Sequence, residues 1–241
     1  MNAATDPDQD RLSSDWIAPR WHLLVVLLAV LGFSALAALG AHSRNVTPHT
    51  PPQSMVSGYT FAMVVEWLMV VLVLIGIRLR NVSLRDLIGG RWSNWQAVVR
   101  DLGIAALFFI ASNIVSAILT RLLKIDPGRA IRDMLPHSGT EVALFLLLAL
   151  TAGICEEIIF RGYLQKQFTA MLGNAGAAVV TQGILFAVFH GNQGLRFMVI
   201  IAMYGCLLGA LAYWRRSVRP GMIAHFMQDG LVGLLAPYLF R

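Results

Sequence analysis

Long apolar runs, separated by short polar connections rich in Arg and Pro, dominate the chain. They fall at roughly 22–41, 58–77, 100–121, 141–167, 174–190, 195–214 and 220–239, each close to the about 20 apolar residues that a helix needs to cross a bilayer core. Backbone groups in lipid are satisfied only by helices or closed barrels, and these runs lack the apolar/polar alternation of barrel strands. The pattern predicts an all-α, polytopic transmembrane helical bundle of about seven spans over 22–241. A polar tail, 1–21, precedes it; its Asp6, Asp8, Asp10 and Asp15 stand where a secretory signal would carry basic residues and an apolar core.

Composition agrees with this pattern and narrows the function. The chain is 57% hydrophobic and 13% charged, about half the charged share of an average soluble domain, which excludes an ordinary soluble fold. The net charge of +6 comes mainly from arginines beside the apolar runs, where they orient a protein in the membrane; a nucleic-acid partner is not expected. The connection from Arg78 to Arg100 holds Arg78, Arg80, Arg85, Arg91 and Arg100, with Trp92 and Trp95 suited to the interface, whereas the loop with Pro48, Pro51 and Pro52 has one basic residue, Arg44. The first of these is therefore expected inside, together with the N-terminus, Lys166 and the Arg215, Arg216, Arg219 cluster, with the C-terminus outside and a bacterial plasma membrane as the location. Arg121, Lys124, Arg129 and Arg132 fit this less well, offset in part by Asp126, Asp133 and Glu141. Cys155 and Cys206 fall in apolar runs and read as two buried thiols.

Ionisable side chains inside spans are expensive, so each is a candidate for function. They are Glu66, Glu156, Glu157, Arg161, His190, His225 and Asp229. Glu66 reads as a polar contact between helices, with Asn113 as a suitable neighbour. Residues four apart share a helix face while adjacent ones diverge by about 100°. Arg161 therefore pairs with Glu157, and Glu156 points elsewhere as the unpaired carboxyl, suited to act as a general base. Phe186 and His190 are four apart, as are His225 and Asp229; Phe186 could wall His190 against lipid, and Asp229 could orient the His225 imidazole. Counting about 1.5 Å per residue from the helix ends puts Glu156 and His190 at compatible depths. His225 comes out shallower, to be reconciled by tilt or by different span ends. Gly205 and Gly209 form a small-xxx-small face for close helix approach.

With those residues in hand, the sequence resembles the CAAX protease and bacteriocin-processing (CPBP, or Abi) family of intramembrane proteases. The resemblance rests on Glu-Glu-x-x-x-Arg at Glu156, Glu157 and Arg161, on Phe-x-x-x-His at Phe186 and His190, and on His-x-x-x-Asn/Asp at His225 and Asp229, and covers about 141–237 as the catalytic core. It implies hydrolysis of a peptide bond in a membrane-associated protein or peptide. Glu156 and His190 would activate water, His225 with Asp229 would face the carbonyl oxygen, and Glu157 with Arg161 would hold the architecture. Asp229 departs from the prenyl-protease pattern, because an ionised aspartate cannot donate to an oxyanion as an asparagine amide can.

Two alternatives stay open on sequence. Glu156, His190, His225 and Asp229 could ligate zinc, but the His-Glu-x-x-His helix of metalloproteases is absent from the sequence, so catalysis without a cofactor is favoured. The same residue types would also serve a proton-coupled transporter, or survive in a non-catalytic membrane scaffold.

Overall fold

A computed structural model describes residues 16–45, 55–126 and 134–239 of the chain. The loop with Pro48, Pro51 and Pro52, the acidic Asp6 to Asp15 stretch, and Arg129, Arg132 and Asp133 lie outside the described residues. The described chain is helical throughout: α1 (Arg20–Asn45), α2 (Val56–Arg78), a single turn α3 (Leu84–Leu87), α4 (Trp95–Leu122), α5 (Gly139–Leu172), α6 (Ala175–Phe189), α7 (Leu195–Arg215) and α8 (Arg219–Leu239).

The all-α membrane bundle expected from the apolar runs is what the chain forms. Five helices, α1, α2, α4, α5 and α7, are long and apolar enough to cross a bilayer; α6 is shorter, at 15 residues, and α8 has 21. Their outward side chains, such as Leu24, Leu28, Val71, Leu107, Ile110 and Ile184, are exposed. In a membrane these faces meet lipid, so their exposure is solvation by acyl chains rather than a lapse of packing.

Polar residues start and stop these helices where the apolar runs end. Asn94, Ser138 and Asn174 cap α4, α5 and α6 by accepting from Ala97 N, Glu141 N and Ala177 N, which satisfies amides that have no partner within the helix. Gly173 closes α5 at φ 63°, a left-handed conformation that glycine adopts without strain.

One end of the bundle gathers the connection 79–94, the C-terminal part of α5 and the turn between α7 and α8. Ser217 Oγ donates to Ile88 O (3.1 Å), Arg219 Nη2 to Gly89 O (3.0 Å), and Lys166 Nζ to Leu87 O (3.1 Å). Buried Asp101 takes Arg215 Nη2 (3.2 Å) and Trp92 Nε1 (2.9 Å). Arginines expected only to orient the protein thus also tie this end together. The grouping on one side of the connection 78–100, Lys166 and the Arg215 to Arg219 turn matches the alternation expected from the loops.

The same contacts answer the depth problem. The α7–α8 turn is level with Lys166, well short of the end of α5 at Leu172, and Gly221 lies against Glu157. Because α5 runs on past this level, His225, early in α8, reaches the depth of Glu156. Different span ends, and not tilt alone, bring them together.

Close helix approach is built from glycine. A Cβ on Gly205 would meet Gly183 Cα at 3.0 Å, so α6 and α7 touch backbone to backbone, and a Cβ on Gly153 would meet Met222 O at 2.9 Å where α5 crosses α8. The Gly205 and Gly209 face is used as expected, with Gly209 accommodating the Gln182 and Gln165 amides. Cys155 and Cys206 are both free thiols, the first buried and the second half-buried.

Candidate active site

Glu156 is the last residue of the α-helical first part of α5, and from Glu157 to Leu164 the helix is π-helical before returning to α geometry. Such widened stretches occur often at functional sites, and every residue of this one is buried. Hydrophobic periodicity did not reveal it, because the run is apolar on all sides apart from Glu157 and Arg161.

Arg161 Nη1 donates to Glu157 Oε1 at 2.7 Å, the pairing expected from their spacing, with both side chains fully buried. The guanidinium is held further by Gly205 O (3.2 Å) and by the Phe186 ring, whose centroid lies 4.3 Å from Cζ. Gln182 donates to the same Gly205 carbonyl at 2.9 Å. A buried charge pair needs its other donors and acceptors met; α6 and α7 meet part of that need, while Arg161 Nε and Glu157 Oε2 are buried without a hydrogen-bond partner. The buried glutamines Gln165, Gln167 and Gln182, which carry much of this polar framework, were not singled out from sequence: uncharged amides inside apolar runs give little signal.

All the expected site residues come together. His190 caps α6, and its Nδ1 donates to Phe186 O at 2.9 Å, leaving Nε2 to face Glu156 Oε1 at 3.8 Å. His225 Nδ1 donates to Glu157 Oε1 at 3.1 Å, and its Nε2 faces Glu156 Oε2 at 3.7 Å and Asp229 Oδ2 at 3.5 Å. Glu156 and His225 form a buried floor, with side chains 4% and 3% exposed, while His190 at 21% and Asp229 at 37% form the open edge.

Three expectations change. The group that hydrogen-bonds and orients His225 is Glu157, on another helix; Asp229 faces the other nitrogen at 3.5 Å. Phe186 does not shield His190 from lipid but fills the interior at 2% exposure, its ring against His190 (4.7 Å), His225 (5.8 Å) and Phe160 (5.0 Å). Asn113 does not meet Glu66. It donates to Gln228 at 2.8 Å, while Glu66 is buried with its Oε2 lacking a hydrogen-bond partner.

Among the described residues, no group of three or more His, Cys, Asp or Glu side chains has the arrangement of a metal site. Glu156, His190, His225 and Asp229 approach one another pairwise at 3.5 to 3.8 Å.

Fold and site together define a class: a helical membrane protein with an acid–base cluster of two histidines and several carboxyls enclosed by its late helices. Residues 138–231, which contain all of these groups except Glu66, match the family described as type II CAAX prenyl endopeptidase Rce1-like. The match bears out, over this segment of the chain, the resemblance that the three motifs carry. No curated protein and no solved structure matches the chain.

Proposed function

We propose that the protein hydrolyses a peptide bond of a membrane-associated protein or peptide, with water activated by Glu156 and His190 and without a metal. The supporting observation is the placement of the two Glu156 oxygens, each facing the Nε2 of a different histidine at 3.8 and 3.7 Å. Two polar atoms at that separation are suited to share one water. His190 spends its Nδ1 proton on Phe186 O, so its Nε2 lone pair is available to such a water. Glu156 takes a proton from the water as its oxygen attacks the carbonyl carbon, and the C–N bond breaks with the nitrogen protonated.

The developing oxyanion falls to the other side of Glu156, where His225 Nε2 and Asp229 stand. Because Nδ1 is committed to Glu157, His225 donates from Nε2 only as the doubly protonated imidazolium. Glu157, paired with Arg161, fixes the ring for that task. The open edge formed by His190 and Asp229 is the side from which an extended peptide reaches the floor. A substrate carrying a C-terminal CAAX sequence, the class named in the family description, is the first to be tried.

The test compares newly formed N-termini in membranes that contain the normal protein or Glu156→Gln. We expect a defined set of termini to vanish with the variant while its amount in the membrane is unchanged. An identical set in both samples would sink the assignment of Glu156 and the protease reading with it.

A further inference from the structure

Three arginines from three helices meet at the end of the bundle that holds the α7–α8 turn, and one carboxylate stands among them. Asp101, buried on α4, has Arg215 Nη2 of α7 at 3.2 Å and Arg100 Nε of its own helix at 3.5 Å on one oxygen, while Trp92 Nε1 donates to the other at 2.9 Å. The Trp92 ring carries the third arginine: Arg219 Cζ, at the start of α8, lies 4.9 Å from its centroid. Arg219 otherwise donates to neutral oxygens, Gly89 O and Ser217 Oγ, each at 3.0 Å, and has no carboxylate partner among the described residues.

The balance of charge is therefore unequal. Three guanidiniums face one carboxylate, and Arg215 Nε and Arg219 Nη1 are left without hydrogen-bond partners. Like charges held this close repel unless an anion joins them. Orientation in a membrane needs only arginines near the ends of spans; it does not need three from separate helices gathered about one aspartate.

The surroundings favour one kind of anion. Arg100 is 57% exposed and Arg215 19%, so the cluster has an open edge. Trp92, Trp95 and Trp214 are exposed nearby, as suits indoles at the level of lipid headgroups. Val99 and Leu102 on α4 and Tyr213 on α7 lie within a turn of the arginines and are exposed as well. A free phosphate would use the charge and leave this apolar surface bare, whereas an amphiphile uses both. The planar guanidinium fork donates in pairs to phosphate oxygens.

We propose that this cluster binds one anionic phospholipid, with its phosphate at Arg100, Arg215 and Arg219 and its acyl chains along α4 and α7. The lipid neutralises the surplus charge. It also bridges α4, α7 and α8 at the turn whose hydrogen bonds to the 88–89 backbone set the depth of His225.

Native mass spectrometry of the purified full-length protein, offered equal amounts of phosphatidylglycerol and phosphatidylcholine in detergent, tests this. We expect one phosphatidylglycerol to be retained in preference. Arg100→Gln should weaken that retention about fivefold, the factor that one basic side chain contributes beside an anionic lipid surface, and Arg100→Lys, which keeps the charge, should restore most of it. Because Arg100 is exposed, both variants should melt as the normal protein does. Arg80→Gln removes the same charge from an exposed position in the 79–94 connection and should leave retention unchanged. Equal weakening by Arg80→Gln and Arg100→Gln would mean attraction spread over the whole end and would overturn the site. Equal retention of the two lipids overturns the proposal, as does full retention by Arg100→Gln. Displacement of phosphatidylglycerol by an excess of inorganic phosphate would show a site for free phosphate and overturn the lipid.

Discussion

Oε1 of Glu157 receives both Arg161 Nη1 and His225 Nδ1, so one oxygen joins the buried ion pair to the His225 ring. Glu157→Gln removes the charge that Arg161 was buried against, and breaking a buried pair in this way costs about 3 to 5 kcal/mol. A clear fall in thermal stability in detergent, together with lost activity, is the expected result; an unchanged melting curve would contradict the assigned role. Asp229 faces the nitrogen that Glu157 leaves free, on the side we propose for the oxyanion, where an amide can take its place. Asp229→Asn should keep most of the rate, while Asp229→Ala should lose about a hundredfold; equal rates for the two would place Asp229 outside the chemistry. The Arg161–Glu157 pair was legible because a spacing of four fixes a shared face. The Glu157–His225 bond spans 68 positions, and no local spacing announces a contact between two helices of unknown rotation.

Helix lengths decide how the site is assembled, and they were the hardest property to read. Apolar runs locate a helix but not its depth, since depth depends on which residues are tied at the bundle's end. The hydrogen bonds of Lys166, Ser217 and Arg219 with the 86–89 backbone set that level, and a composition-based count could not supply it. The π-helical part of α5 escaped for a related reason: it changes backbone geometry without changing hydropathy. Packing between elements gives a contrast open to test. A Cβ at Gly205 meets backbone of α6 at 3.0 Å, whereas one at Gly209 first meets the ends of two glutamine side chains. Backbone cannot yield as a side chain can, so Gly205→Ala should destabilise the protein more than Gly209→Ala. Thermal unfolding of the two variants in the same detergent measures the difference, and the reverse order would reject this account of the α6–α7 contact.

The whole molecule repeats the alternation that the loops suggested, with the 78–100 connection and the α7–α8 turn at one end. We propose that this end is cytoplasmic, as the arginine excess directs. Reporters placed near Ser93 and after Arg241 should then score on opposite sides, and a shared side would reject the topology. The metal-free acid–base catalysis we propose further predicts that activity survives strong chelation; loss restored only by a divalent ion would overturn it. The 15-residue α6 has one more consequence at this scale. At 1.5 Å per residue it spans about 22 Å, against a hydrocarbon thickness of about 30 Å. Thinning of the adjacent bilayer is one way in which a hydrophobic mismatch of this size is relieved. Such thinning would draw headgroups and their water toward His190, at the C-terminal end of α6, and would bring the hydrolysis we propose its second substrate.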